Sequence, residues 1–213
     1  MKIISLSGKA GSGKDATADI LQEYLGEEAV NRCAYAAKLK KTLMDVFNLT
    51  FEQVYDEKMK DELLDEPILF NKSRQVAVCE AYGIRPNYHT YDHLYKFETP
   101  RKIMQYVGTD FLRGFNDKIH LEHLPLKHGK VNIVTDSRFP NEIKYLEDKS
   151  THKDPPLLLY IDREDTKKVP DCKSEALTKE DFTGIVVDNN GTLRDLDSTI
   201  KGILNEWTHW VEL

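Results

Sequence analysis

Five short β-prone runs punctuate the chain, at residues 3–7, 30–34, 131–135, 157–161 and 185–187, separated by longer stretches whose apolar positions recur every three or four residues. Residues 13–25 place Ala16, Ile20, Leu21 and Tyr24 at helical spacing and stop at Gly26, a residue suited to the position just past a helix end. A second helix is predicted over 37–47. A third covers 99–112, where Ile103, Val107 and Phe111 lie four apart behind Thr99 as N-cap and Pro100 at the first helical position. The last, over 193–210, carries Leu196, Ile200, Ile203, Leu204 and Trp207 on one stripe, the pattern of a helix packed on a sheet. Strands alternating with helices in this way predict an α/β fold, a parallel sheet with helices on both faces.

The stretch 56–98 breaks the alternation. It is rich in Tyr, His, Asn and charge, contains Pro67 and Pro86, and reads as an insertion into a single domain spanning 1–213. Residues 150–156 are polar and end in two prolines, which predicts a surface loop. A chain of 213 residues suffices for one well-buried α/β domain with insertions.

A net charge of −6, with cations and anions interleaved, argues against a duplex-binding surface, so no nucleic-acid partner is expected. Three cysteines, Cys33, Cys79 and Cys172, stand far apart with no CxxC pair, which speaks against a disulfide framework or a zinc site. The first strand begins at once, leaving no room for a signal peptide, and no apolar run approaches membrane-spanning length; a soluble, cytoplasmic protein with no membrane partner is expected.

The chemistry concentrates at Gly8, Lys9, Ala10, Gly11, Ser12, Gly13, Lys14 and Asp15, a glycine-rich turn between the first strand and the first helix. Glycines let the backbone wrap a triphosphate with its amides inward, the helix end adds a positive dipole, and Lys14 reaches the β and γ phosphates. Together with Ala16, these residues form the candidate ATP site. Asp15 stands where such loops usually carry the Ser or Thr that ligates magnesium, so a carboxylate must meet the metal differently or leave it to water and other residues. The run Val131, Asn132, Ile133, Val134, Thr135, Asp136 is a strand ending in an acid, the form of a magnesium-holding Walker B segment. On its own Asp136 reads better as an ordinary turn carboxylate after a buried strand; beside a P-loop the metal role is the better reading. Arg138 follows it, close to a transferring phosphate, and Glu142 is placed to orient Arg138 or another cation.

The P-loop ending in Lys14 and Asp15, the segment Tyr35, Ala36, Ala37, Lys38, Leu39, Lys40, the run 101–110, the run from Asp136 to Glu142, and Ser174 with Glu175 resemble, in order and spacing, the deoxynucleoside monophosphate kinases of large DNA bacteriophages. The likeness spans most of the chain, and an Asp after the P-loop lysine is an accepted form in that family. The resemblance implies a P-loop NTPase fold with a five-stranded parallel sheet in the order 2-3-1-4-5, a monophosphate-binding insertion and a lid. It also implies transfer of the γ-phosphoryl group of ATP, with Mg2+, to a deoxynucleoside monophosphate.

The acceptor phosphate is largely an anion at neutral pH, so no strong base is needed; the demand is to bring two polyanions together. Lys14, Asp136, Arg138 and Arg163 are therefore the catalytic candidates, and Asp15 and Asp136 the metal candidates. Lys40, Arg101, Gln105, Arg138, Glu142 and Glu175 are the substrate-binding candidates, although without the resemblance Lys40 and Arg101 read rather as solvated helix charges, and Gln105 also suits a water-facing position. Residues 163–180, starting at Arg163 and carrying Lys167, Lys168 and Lys173, suit either a lid over ATP or a charged loop.

His89 and His93 lie four apart near Asp92, and His120 and His123 three apart around Glu122, but neither pair has a clear third ligand, which favours surface or acceptor-site histidines over a metal site. Tyr82, Tyr88, Tyr91, Tyr95 and Phe97 suit base stacking, an insertion core or a subunit contact. Two rival activities stay open: a P-loop kinase for another phosphorylated small molecule, of the phosphomevalonate kinase kind, and a non-catalytic ATP-binding switch. A homodimer is the default assembly.

Overall fold

In the computed structural model of the chain, which describes residues 1–85, 93–164, 166 and 177–210, the five β-prone runs pair into one parallel sheet. Strands β1 (Ile3–Ser7), β2 (Val30–Cys33), β5 (Val131–Val134), β6 (Leu157–Asp162) and β7 (Ile185–Asp188) lie in the order β2-β5-β1-β6-β7, the 2-3-1-4-5 arrangement expected of the P-loop fold. A separate antiparallel pair joins β3 (Ile68–Phe70) to β4 (Tyr95–Phe97). The helices are α1 (Lys14–Leu25), α2 (Ala37–Phe47), α3 (Phe51–Tyr55), α4 (Lys72–Ala81), α5 (Pro100–Gln105), α6 (Leu112–Phe115), α7 (Ile119–Glu122), α8 (Pro140–Lys149) and α9 (Leu193–Trp210). By contacts the chain divides into two compact units, one of residues 1–35 and 121–213, the other of residues 36–120. The stretch 56–98 lies wholly within the second.

In the first unit β1 is central, pairing Ile3 with Asn132 of β5 and Ile4 with Leu157 of β6. Because strand side chains alternate, Ile4 and Leu6 join Ile133, Leu159 and Ile161 in one core, while Ile3 joins Cys33, Val134 and Leu146 in another. The first core receives Ala18 and Leu21 of α1 with Leu196, Ile200, Leu204 and Trp207 of α9; the second receives Leu146 of α8. A sheet buried on both faces explains why its central strands are almost wholly apolar. The stripe of α9 is as its spacing predicts. That of α1 is rotated: Thr17, Ala18, Ile20 and Leu21 are buried, whereas Tyr24 is exposed and donates its hydroxyl to Asn205.

The second unit is built around Phe70, which meets Phe47 at 5.5 Å and Phe111 edge-on at 4.8 Å between ring centroids. Leu43, Val54, Val78, Ile103, Val107 and Leu112 complete its core, and Tyr82 and Phe97 are buried in it, so this part of the aromatic group is core. Tyr88 and Tyr91 lie outside the described residues. Thr99 caps α5 by accepting from the Lys102 N–H at 3.3 Å, with Pro100 in the first turn, as read from sequence. The continuation differs: Tyr106–Phe111 is a π-helical turn, which widens the step from four residues to five. The next buried apolar side chain after Val107 is consequently Leu112, and Phe111 is only half-buried.

Among the described residues no helix is long and apolar enough to cross a membrane. Leu159, 1% exposed at the centre of the larger core, provides a test of the packing. Leu159→Ala is expected to lower unfolding free energy by about 2–5 kcal/mol, read as a lower urea midpoint at unchanged slope.

Candidate active site

The loop after β1 turns only because its glycines occupy left-handed backbone, with φ of 131° at Gly8, 79° at Gly11 and 101° at Gly13. A Cβ at Gly8 would stand 2.4 Å from the Ile161 carbonyl oxygen of β6, and one at Gly13 would stand 2.3 Å from Nδ2 of Asn189. The loop is thus packed against the carboxyl ends of β6 and β7. Lys14 folds back over it, donating from Nζ to the carbonyls of Gly8 and Lys9, both at 2.7 Å. Gly13 begins α1 without a side-chain cap, and a helix N-terminus of this kind suits an anion. Ala16 rests its methyl on the core, so its contribution is backbone only.

The buried hydroxyls of Ser7 and Ser12 have no hydrogen-bond partner among the described residues. A buried, unmatched hydroxyl at Ser12 inside a glycine wrap with a lysine at its end is a donor set that fits phosphate oxygens. Asn189, 5% exposed, donates from Nδ2 to the Ser12 carbonyl at 2.7 Å and from its backbone N–H to the Asp162 carbonyl at 2.8 Å. Sequence reasoning passed over Asn189; the signal available was a polar Asp-Asn-Asn-Gly turn closing the fifth parallel strand, on the ligand-binding edge of such sheets.

Asp15 and Asp136, the two metal candidates, both have partners within the first unit. The Asp15 side chain is 91% exposed and pairs at 3.1 Å with Arg32 of β2, whose other nitrogen meets Asp19 at 2.5 Å. Asp136 accepts the Tyr35 N–H at 2.7 Å. Beneath it, burial and then the Asp136 charge push the Cys33 thiol up to about 12. Burial, followed by Glu142 and Asp136, holds the Tyr35 phenol far above its ordinary range, and it donates to the Glu142 carbonyl at 3.0 Å. Both groups are neutral at physiological pH and give Asp136 an uncharged floor. Among the described residues no three His, Cys, Asp or Glu side chains cluster closely enough to hold a metal by themselves.

Glu142 is 2% exposed, and its carboxylate accepts the backbone N–H groups of Arg138 at 2.7 Å and Phe139 at 3.1 Å. It therefore acts on the Arg138 main chain, fixing the turn from which that guanidinium departs and the start of α8. Arg138 and Arg163 line one cavity of about 360 Å³ together with Gly8, Lys9, Asp162 and Lys179. Asp162 pairs with Lys179, whose ammonium is held above its ordinary range by that hydrogen bond. The Arg138 carbonyl accepts from the Leu177 N–H at 2.8 Å, tying residues that follow β5 to residues that precede β7. Of residues 163–180, only 163, 164, 166 and 177–180 are described; Lys167, Lys168, Lys173, Ser174 and Glu175 lie outside.

Lys40, Arg101 and Gln105 belong to the second unit. The Lys40 ammonium sits 4.2 Å from the centroid of the Tyr55 ring, a cation–π contact, and Gln105 is half-buried at the end of α5. Arg101 donates Nε to Asp61 at 2.5 Å and a terminal nitrogen to Asp61 and to Glu57, both at 3.0 Å. Its charge is matched by two carboxylates, which hold the guanidinium above its ordinary range despite partial burial. His120 is a core residue, with Nε2 at 2.9 Å from the Gly108 carbonyl and its ring edge-on to Tyr82. His89 and Asp92 lie outside the described residues.

No protein-family model matches the chain. It is similar to a protein of Acanthamoeba polyphaga mimivirus that bears the name "Putative deoxynucleotide monophosphate kinase", with 28% identity over 218 residues that cover 94% of each chain.

The Arg101 cluster predicts a pH dependence. Burial alone would raise the Glu57 carboxyl; the hydrogen bonds from Lys60 and Arg101 outweigh it and hold the group at about 2. A depressed carboxyl stabilises the fold above its unfolded value of about 4.3, and that contribution is lost as pH falls through the folded value. Arg101→Ala is therefore expected to lower the thermal midpoint at pH 7, with the gap to the parent narrowing as pH falls from about 4.3 toward about 2. A gap that widens with acid would contradict the network.

Proposed function

We propose that this chain is a nucleotide kinase that transfers the γ-phosphoryl group of ATP to a deoxynucleoside 5′-monophosphate, giving the diphosphate and ADP. The observation that carries this reading is the meeting of the P-loop backbone at Gly8 and Lys9 with Arg138 and Arg163 around one cavity, at the carboxyl ends of the parallel strands. Likeness to the mimivirus protein along 94% of both chains supports nucleotide kinase activity in general. The deoxynucleoside monophosphate acceptor is the finer reading, and it rests on the motif resemblance.

In this scheme an oxygen of the acceptor phosphate attacks the γ phosphorus of ATP, a new P–O bond forms, and the bond from γ phosphorus to the β–γ bridging oxygen breaks. No proton need move before attack, because the second pKa of a phosphate monoester lies near ~6 and the acceptor is mostly dianionic at pH 7. The protein's task is to hold repelling anions in line and neutralise charge that builds on the bridging oxygen. Lys14 and amides of the glycine-rich loop hold the donor phosphates, and the Ser12 hydroxyl acquires the acceptor it lacks among the described residues. Arg138, fixed through its backbone by Glu142, and Arg163, at the end of β6, bring positive charge to the transferring group. Magnesium, bound with ATP, supplies further neutralisation of the phosphate oxygens. Since Asp136 and Asp15 have partners already, the protein would lend few direct ligands, in keeping with an ion that retains several waters. Lys40, Arg101 and Gln105 remain the acceptor-side residues of this proposal, with Glu175 alongside them.

The test is product analysis with ATP, magnesium and a panel of deoxynucleoside and ribonucleoside monophosphates, with phosphomevalonate as the control acceptor. A diphosphate is expected from at least one deoxynucleoside monophosphate, and Lys14→Ala should reduce the transfer rate by about 10²-fold or more. ATP hydrolysis without any nucleoside diphosphate, or turnover of phosphomevalonate alone, would overturn the reading.

A further inference from the structure

We propose that Asn189 is a positioning residue that holds the phosphate-binding loop in its wrapped conformation and so sets the affinity for the triphosphate. The inference rests on the reading of residues 8–15 as a triphosphate site and goes beyond it, because Asn189 lies some 175 residues from the loop in sequence and matches no part of the motif.

Three observations converge on this side chain. Its Nδ2 donates to the Ser12 carbonyl at 2.7 Å, and its carboxamide is buried, so the bond is shielded from water. The same Nδ2 occupies the space that a Cβ at Gly13 would need, at 2.3 Å, which makes Gly13 and Asn189 a matched pair. Its backbone N–H bonds to the Asp162 carbonyl at 2.8 Å, while the neighbouring Asn190 side chain accepts the Glu164 N–H at 2.9 Å, so the turn is tied on both sides of Arg163.

The consequence for binding follows from peptide geometry. In a trans peptide the C=O and the next N–H point in opposite directions. Drawing the Ser12 carbonyl onto Asn189 therefore turns the Gly13 N–H away from Asn189, leaving it for an anion. The loop's own turn bond, from the Ser12 N–H to the Lys9 carbonyl at 3.2 Å, fixes the preceding peptide, while the Ser12 carbonyl is held by Asn189. The structure thus assigns to Asn189 the orientation of a loop amide, and to the turn after β7 the alignment of the loop with Arg163.

Asn189→Asp is close to isosteric but sets an oxygen acceptor against the Ser12 carbonyl; Asn189→Ala only removes the donor. With the full chain, magnesium-ATP affinity by calorimetry, acceptor KM, and hydrogen exchange at residues 11–14 would be compared with the parent. Loss of a buried hydrogen-bond partner predicts roughly a 5- to 100-fold weaker Kd for ATP in the alanine variant, and more in the aspartate variant. Acceptor KM should stay within about twofold, and the loop amides should exchange faster, a split that a general loss of stability does not produce. Unchanged ATP affinity and unchanged loop exchange in a folded variant would overturn the proposal, as would failure of both variants to fold, since that would make the role one of the core. If the parent itself binds no ATP, the kinase reading falls, and loop exchange alone decides whether Asn189 holds the loop.

Discussion

The arrangement depends on one steric constraint: the chain leaving β1 must turn at Gly8 against the Ile161 carbonyl of β6, where even a methyl group has no room. A loop forced this close to the strand ends is satisfied only in part by its own Lys14 and draws on a side chain from beyond β7. The carbonyls of Gly8 and Lys9 go to Lys14 and that of Ser12 to Asn189, the Ser12 amide goes to the Lys9 carbonyl, and the buried Ser12 hydroxyl has no partner among the described residues. The parallel sheet makes that closeness possible, because only parallel strands deliver the carboxyl ends of β1, β5, β6 and β7 to the same edge.

Charge is distributed accordingly. Asp136 rests on neutral groups, Cys33 and Tyr35, whose protons burial retains at physiological pH. Glu142 is spent on backbone amides, and so Arg138 is positioned through its main chain. In the second unit Arg101 pairs with Glu57 and Asp61, a self-matched cluster. A phosphate reaching Arg101 has to compete with two carboxylates, and acceptor recognition at that residue would be weaker than a lone arginine suggests.

Much of the first unit was legible in the sequence, because its central strands are buried and read as short apolar-rich runs, and α9 carries a stripe that packs as its spacing predicts. The second unit was far less so. Strands as short as Ile68–Phe70 and Tyr95–Phe97 show no alternation long enough to detect, and their pairing spans more than twenty residues that include α4, with no short hairpin turn to signal it. The π turn at Tyr106–Phe111 moved the buried position from Phe111 to Leu112, a shift that four-residue periodicity has no means to express.

By itself the sequence determined the parallel α/β alternation and the glycine-rich loop, since these are local patterns of hydrophobicity and glycine; the strand order is what the family resemblance implies. Only the tertiary structure decided which side chains hold that loop and which charges are already matched. Asn189 reaches Ser12 from the far end of the chain, Arg32 engages Asp15 from β2, and Arg101 is enclosed by residues forty positions away. Such pairings depend on where packed elements bring side chains together, and spacing along the chain carries no record of that distance.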